Sequence, residues 1–177
     1  MKTPVILVVN DDGITAPGIL SLIDVVKQFG KVTVVAPNKP QSGMGHAVTL
    51  NNTIRVDKTS KNGIDYFSCS GTPVDCVKIA VNKLMPQRPD LIVSGINHGS
   101  NSSINVIYSG TMSAAVEGAL EGIPSVGFSL CDHSIEADFR ASKHFAKKII
   151  DNILNSDYKK GICLNVNIPK APIDMIT

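Results

Sequence analysis

Five apolar residues, VILVV (5–9), run straight into Asn10, Asp11, Asp12 and Gly13, and a helical pattern then separates them from a second apolar run, KVTVVA (31–36). Strand, helix and strand within about thirty residues form a βαβ unit, and this constrains the fold more than any other feature of the chain. The helix is expected from about Ala16 to Phe29. Thr15 can cap it, Pro17 suits its first turn, and Ile19, Leu22, Ile23, Val26 and Phe29 recur at helical spacing before Gly30 ends it.

The same alternation continues. GTPVDCVKIAVNKL, with Thr72 as cap, Pro73 at the first position and Asp75 in the first turn, reads as a helix. DLIVSG (90–95) is a strand, INHGSNSSINVIYSG a long polar loop, TMSAAVEGALEG a small-residue helix, SVGFSL a strand, residues 136–154 a helix and ICLNVNIP the last strand. Between Pro37 and Ser70 the rhythm breaks. APNKPQSGMGH is a loop, AVTLNNTIRV and IDYFSCS read as strands, and KNG as the turn between them, a small antiparallel excursion around residues 45–70. The expected fold class is therefore α/β: a mostly parallel sheet with helices on both faces, in one domain.

In such a sheet ligands bind beyond the carboxyl ends of the strands. Three polar loops follow strands there: Asn10–Gly13, Pro37–His46 and Gly95–Thr111. Adjacent carboxylates at the end of a buried strand repel unless water or a cation reaches both. Asp11 and Asp12 are thus candidate hard-oxygen ligands for Mg²⁺, Mn²⁺ or Ca²⁺, with a simple Asx turn as the plain alternative. Ser42 can add a neutral oxygen. Asn97 and Asn101 offer amides, and Ser109, Gly110 and Thr111 put hydroxyls and free N–H groups at a helix start, an anion site by geometry and dipole. A hard cation facing a phosphate cradle is the set that metal-assisted phosphoester hydrolysis needs. His46 and His98, each beside a glycine in these loops, are candidate general acids, whereas His133 and His144 look peripheral. Tyr66, Phe67 and Tyr108 lie near the loops as candidate stacking residues, with core packing as the alternative for each.

Bulk properties exclude other classes. The net charge of +2 gives no bias toward nucleic acid or acidic membranes, and the pairs Lys147-Lys148 and Lys159-Lys160 read as solvated faces. No apolar run approaches the ~20 residues that span a bilayer, and Asn10-Asp11-Asp12 interrupts the only signal-like segment. The four cysteines show no C-x-x-C spacing; Cys69, Cys131 and Cys163 sit in apolar runs and read as small core residues, which fits a reducing cytoplasm.

VNDDGITAPGI, APNKPQSGMGHAVTL, CSGTPVDCV, SGINHGSN, YSGTMSAAVEGAL and LNVNIP, in this order from Val5 to Pro169, resemble the SurE family, the survival-protein 5′(3′)-nucleotidases. The resemblance implies a Rossmann-like α/β domain that hydrolyses nucleoside 5′- and 3′-monophosphates by metal-activated water, with one divalent cation, Mg²⁺ or Mn²⁺, per subunit. It implies Asp11, Asp12, Ser42 and Asn97 as metal ligands, Asp11 and Asp12 being the catalytic pair, and Asn97, Asn101, Ser109, Gly110 and Thr111 as phosphate contacts. The charge, apolar runs and cysteines read above add the expectation of a cytoplasmic location with no membrane or sequence-specific nucleic-acid partner. Family members usually continue past LNVNIP with strands and an arm that helps pair subunits. The expectation here is a single domain over residues 1–177 without that arm, which weakens the dimer or tetramer that the resemblance implies.

Other classes fit less well. A receiver-like signalling module, the alternative reading, also ends its first strand in an acidic, Mg²⁺-binding pair, but it needs a phospho-accepting Asp where this chain has Gly95 and Asn97. A dinucleotide-binding oxidoreductase needs G-x-G-x-x-G where this chain has N-D-D-G-I-T. A haloacid-dehalogenase-like phosphatase needs D-x-D, and neighbours on an extended segment point to opposite sides.

Overall fold

The computed structural model describes residues 3–134, 136–156 and 161–176; the pair Lys159-Lys160 lies outside them. Seven strands form one sheet in the order β3-β4-β2-β1-β5-β6-β7. β1 (Val5–Val9) is buried along its whole length at the centre of the sheet, between β2 (Lys31–Pro37) and β5 (Leu91–His98), both parallel to it. β6 (Ser125–Cys131) and β7 (Cys163–Pro169) continue the parallel run. Alternate residues of β1 face two separate cores: Ile6 and Val8 pack with the helix α1 (Pro17–Val26) side, and Val5, Leu7 and Val9 with the opposite face. α5 (Arg140–Asn155) joins the first layer, with Ala146, Ile150 and Ile153 buried. α2 (Pro73–Ile79) and α4 (Gly110–Leu120) build the second through Cys76, Val77 and Ala114. The expected α/β sheet covered by helices on both faces is present.

Several local expectations change. α1 starts one residue later than the Thr15 reading, since its N-cap is Ala16, which makes no side-chain cap bond; Pro17 holds the first helical position. The helix ends at Val26, not Phe29. Gly30 serves a close approach instead: a Cβ there would fall 2.1 Å from the Pro4 carbonyl oxygen, which accepts the Lys31 N–H at 2.8 Å. The excursion is part of the main sheet. β3 (Val56–Lys61) and β4 (Ile64–Cys69) form an antiparallel hairpin around Asn62 and Gly63, both at positive φ, and β4 pairs in parallel with β2. Residues 47–55 are not a strand; the Ala47 carbonyl and the Thr49 N–H go to side chains, described below. Thr72 and Asp75 form a reciprocal capping box at the start of α2, which runs on into a π-helical turn, Ala80–Leu84. The long polar stretch after Gly95 is partly ordered, as the end of β5 and a short helix, α3 (Asn105–Tyr108). The last helix begins at Arg140 rather than near residue 136. Cys69 is a core residue, while Cys131 and Cys163 are only half-buried.

Among the described residues, no helix is long and apolar enough to cross a membrane.

Candidate functional site

Because the strands run parallel, the segments after β1, β2 and β5 open on one rim. They meet in a cleft of about 240 Å³ that Asp11, Asp12, Ser42, Asn97, Asn101 and Ser109 all line.

The first loop is tightly built. Gly13, at φ 102°, turns the chain, Asn10 Nδ2 donates to the Gly13 carbonyl at 2.8 Å, and the Ile14 N–H donates to Pro37 O at 2.9 Å. Asp11 is 3% exposed. Burial drives its carboxyl up to about 6, and the Asp12 charge pushes the same way, against the hydrogen bond that Thr111 gives it. Burial also raises Asp12, with His98 beside it pulling down.

The third loop is re-aimed by an irregularity in β5. Against β6 the register slips between Ser94 and Asn97, around Gly95 at φ 122°, where a Cβ would stand 2.4 Å from Phe128 O. The Gly95–Ile96 peptide is cis. Past this point Asn97 Nδ2 donates to the carbonyls of His98 (3.1 Å) and Gly99 (2.8 Å), which leaves Oδ1 as the atom those bonds do not use. Asn101 is buried and pinned from the far edge of the sheet. Its Nδ2 donates to Ser129 Oγ at 2.9 Å, its N–H donates to Asn167 Oδ1 at 2.8 Å, and its carbonyl accepts Asn165 Nδ2 at 2.9 Å. One hydrogen of Nδ2 remains for a ligand.

α4 begins against the first loop. Ser109 is its N-cap, accepting the Met112 N–H at 3.0 Å. A Cβ on Gly110 would fall 2.6 Å from Asp11 Cβ, so a glycine is what lets the helix start approach the carboxylate. The Thr111 hydroxyl donates to Asp11 Oδ1 at 2.5 Å. Thr111 therefore spends its side chain on Asp11, its backbone N–H also bonds that carboxylate, and of Ser109, Gly110 and Thr111 it is Ser109 that lines the cleft.

The histidines sort differently from the sequence reading. His98 lines the cleft and packs edge-on against Phe139, ring centroids 5.1 Å apart. His133, read as peripheral, also lines the cleft: it lies directly over Gly99, where a Cβ would meet its ring at 2.2 Å. Nothing local in the sequence marks it, because it arrives on the loop after β6. His46, read as a candidate acid, is not among the cleft residues; its ring meets Glu117 Oε2 at 2.8 Å. Phe67 is core and Tyr66 is half-buried, while Tyr108, 59% exposed, lines the cleft.

These residues suit a hard cation. The candidate donors are oxygens only, which favours Mg²⁺ or Mn²⁺ over softer metals. No lysine or arginine lines the cleft among the described residues, so a phosphate there would face two carboxylates with no protein cation between. No cluster of three His, Cys, Asp or Glu side chains occurs among the described residues either, so two carboxylates would need neutral oxygens such as Ser42 Oγ and Asn97 Oδ1 to complete a shell.

Comparison with known proteins places this geometry in context. Residues 6–177 match the family described as Survival protein SurE. The chain is 62% identical over 171 residues to the 5′-nucleotidase SurE of Flavobacterium johnsoniae, covering 96% of this chain and 66% of that protein. It is 46% identical over 172 residues to the 5′-nucleotidase SurE of Bacteroides thetaiotaomicron, covering 97% and 66%. The crystal structure of the SurE protein from Aquifex aeolicus superimposes with a TM-score of 0.87 at 37% identity, over 97% of this chain and 68% of that one. The chain thus spans about two thirds of the length of these relatives.

Proposed function

This chain belongs to the Survival protein SurE family, and from that premise we propose that it is a divalent-metal-dependent phosphatase acting on nucleoside 5′- and 3′-monophosphates, releasing nucleoside and phosphate. The relatives named 5′-nucleotidase support the reaction class. The observation that carries the mechanism is the contact of Asp11 with the start of α4: the Thr111 hydroxyl donates to the buried carboxylate, and Ser109, the N-cap of that helix, lines the same cleft as Asp11 and Asp12.

Asp11, Asp12, Ser42 and Asn97 would hold one Mg²⁺ or Mn²⁺. When bound, that cation supplies charge against the phosphoryl oxygens and lowers the pKa of water. The protein supplies the rest. Thr111 fixes the Asp11 carboxylate. The Ser109 hydroxyl and the Gly110 N–H, with the helix dipole behind them, would hold phosphate oxygens where negative charge builds during in-line attack. Asn101, locked by Ser129 and Asn167, presents its remaining N–H from the opposite wall. His98 and His133 stand in the cleft as candidates to protonate the leaving alkoxide. Tyr108 gives an exposed ring at the cleft for the base.

The test is phosphate release from a panel of 5′- and 3′-nucleoside monophosphates with Mn²⁺, Mg²⁺ or EDTA. Release that is lost in EDTA and restored by cation is the expected result. Equal release in EDTA would remove the metal from the mechanism.

A further inference from the structure

Ser42 is the weakest-held of the four metal-ligand candidates. It sits in an exposed turn of the segment between β2 and β3, which has no regular secondary structure. Upstream, the Gln41 N–H donates to Asp11 O at 2.8 Å. Downstream, the Gly45 N–H donates to Tyr108 O at 3.1 Å, but Tyr108 belongs to α3, a single turn with no buried residue. A firm anchor has to come from elsewhere.

The next residue supplies it. His46 Nε2 meets Glu117 Oε2 at 2.8 Å, and Lys78 Nζ on α2 meets the other oxygen, Oε1, at 2.9 Å. Glu117 is 6% exposed. Burial alone would raise its carboxyl, yet the hydrogen bonds from Lys78 and His46 outweigh it and hold the group below its ordinary value. An ionised carboxylate only accepts, so the His46 ring donates through Nε2. Glu117 lies on α4, the helix whose first turn forms the phosphate side of the cleft. The His46–Glu117 bond therefore joins the Ser42 loop to the cradle helix. Beyond it the loop is fastened to α2: Thr72 Oγ1 donates to Ala47 O at 2.7 Å, and Thr49 gives its N–H and hydroxyl to Asp75.

We propose that His46, held by Glu117, is a positioning residue that fixes the Ser42 turn against α4 and thereby sets how tightly the cleft binds a divalent cation. This rests on the metal reading above and gives His46 a task other than proton transfer. It acts through Ser42, so its effect vanishes where Ser42 cannot act.

The experiment titrates Mn²⁺ alone into the 177-residue chain and reads free Mn²⁺ by electron paramagnetic resonance, with no substrate present. His46→Ala is expected to raise the Mn²⁺ dissociation constant about threefold to tenfold, a part of what one charge-assisted hydrogen bond is worth. His46→Gln, whose amide can donate to Glu117, is expected to recover most of the affinity. Ser42→Ala is expected to weaken binding, and adding His46→Ala to it to weaken it little further, since the two act as one unit. Unchanged affinity in His46→Ala, or full additivity in the double variant, overturns the proposal while leaving the metal site standing. Asp12→Asn separates the two failures: Mn²⁺ binding that survives this substitution removes the metal site itself, and the role of His46 with it.

Discussion

Asp11 and Glu117 are both buried carboxylates against the same helix, one packed on its first turn and one a part of its later turns. They behave in opposite ways. Glu117 is met by Lys78 and His46 and is held low; Asp11 is met by a hydroxyl and a second carboxylate and is pushed up to about 6. The difference teaches what each charge is for. Where a buried charge serves the fold, the fold brings its own cations. Where it serves a ligand, the fold leaves the charge costly until the ligand arrives.

The largest effect that could break this contrast is catalytic. Asp12→Asn is expected to lower Mn²⁺-dependent phosphate release by roughly a hundredfold or more, beyond what loss of a supporting residue brings. Glu117→Gln is expected to cost far less, and near-normal turnover in Asp12→Asn would refute the assignment.

Stability tests the contrast by sign. In EDTA at neutral pH, Asp11→Asn is expected to stabilise the chain by about 1–3 kcal/mol, because a neutral amide keeps the Thr111 bond without the buried charge. Glu117→Gln is expected to destabilise it by about 1–2 kcal/mol, since it weakens two charge-assisted bonds. Urea unfolding reads both, and changes of the same sign would dissolve the comparison. Excess Mn²⁺ should stabilise the wild type and leave Asp11→Asn nearly unmoved.

The pH profile separates the two groups. The Asp11 pKa is raised in the folded state from 3.8 to about 6, so the folded chain binds the extra proton in that window. Its stability contribution is full at low pH and is lost as pH rises through about 6. The Glu117 pKa is depressed below 4.5, so its contribution is present above that value and is lost as pH falls. Thermal melts in EDTA should therefore show a maximum near the pH where the two limbs cross, and Asp11→Asn should flatten only the upper limb. The smallest effect lies at the exposed ring. Tyr108→Ala is expected to raise KM for nucleoside monophosphates about threefold to tenfold and to leave an aryl phosphate without a base unchanged.

Much of this was legible in the sequence. The βαβ rhythm and the polar ends of VILVV and DLIVSG follow from local burial, and Asp11, Asp12, Ser42, Asn97, Asn101 and Ser109 do share one cleft. What escaped were partnerships between distant residues. Thr111 reads as a phosphate contact until Asp11, a hundred positions away in the chain, takes its hydroxyl. His133 reaches the cleft only because β6 pairs with β5. Ala47–Arg55 alternates like a strand, yet Thr72 and Asp75 side chains take the backbone groups of Ala47 and Thr49, so no ladder forms there. His46 reads from the sequence as a candidate general acid, because its partner Glu117 lies 71 residues on.

The central place of β1 also fixes the order in which the chain can become functional. β1 finds β2 across one short crossover, with Val5 opposite Lys31, but it must wait for Leu91 before Ile6 gains its neighbour on the other side. Closing the longer loop is the slower event. The first half of the sheet can therefore assemble with both aspartates in place and still lack Asn97, Asn101 and the cradle helix. Asn97 arrives with β5, but Asn101 and the cradle helix are set only when α4, β6 and β7 have docked, so cation binding during refolding would report the later steps and not the early one.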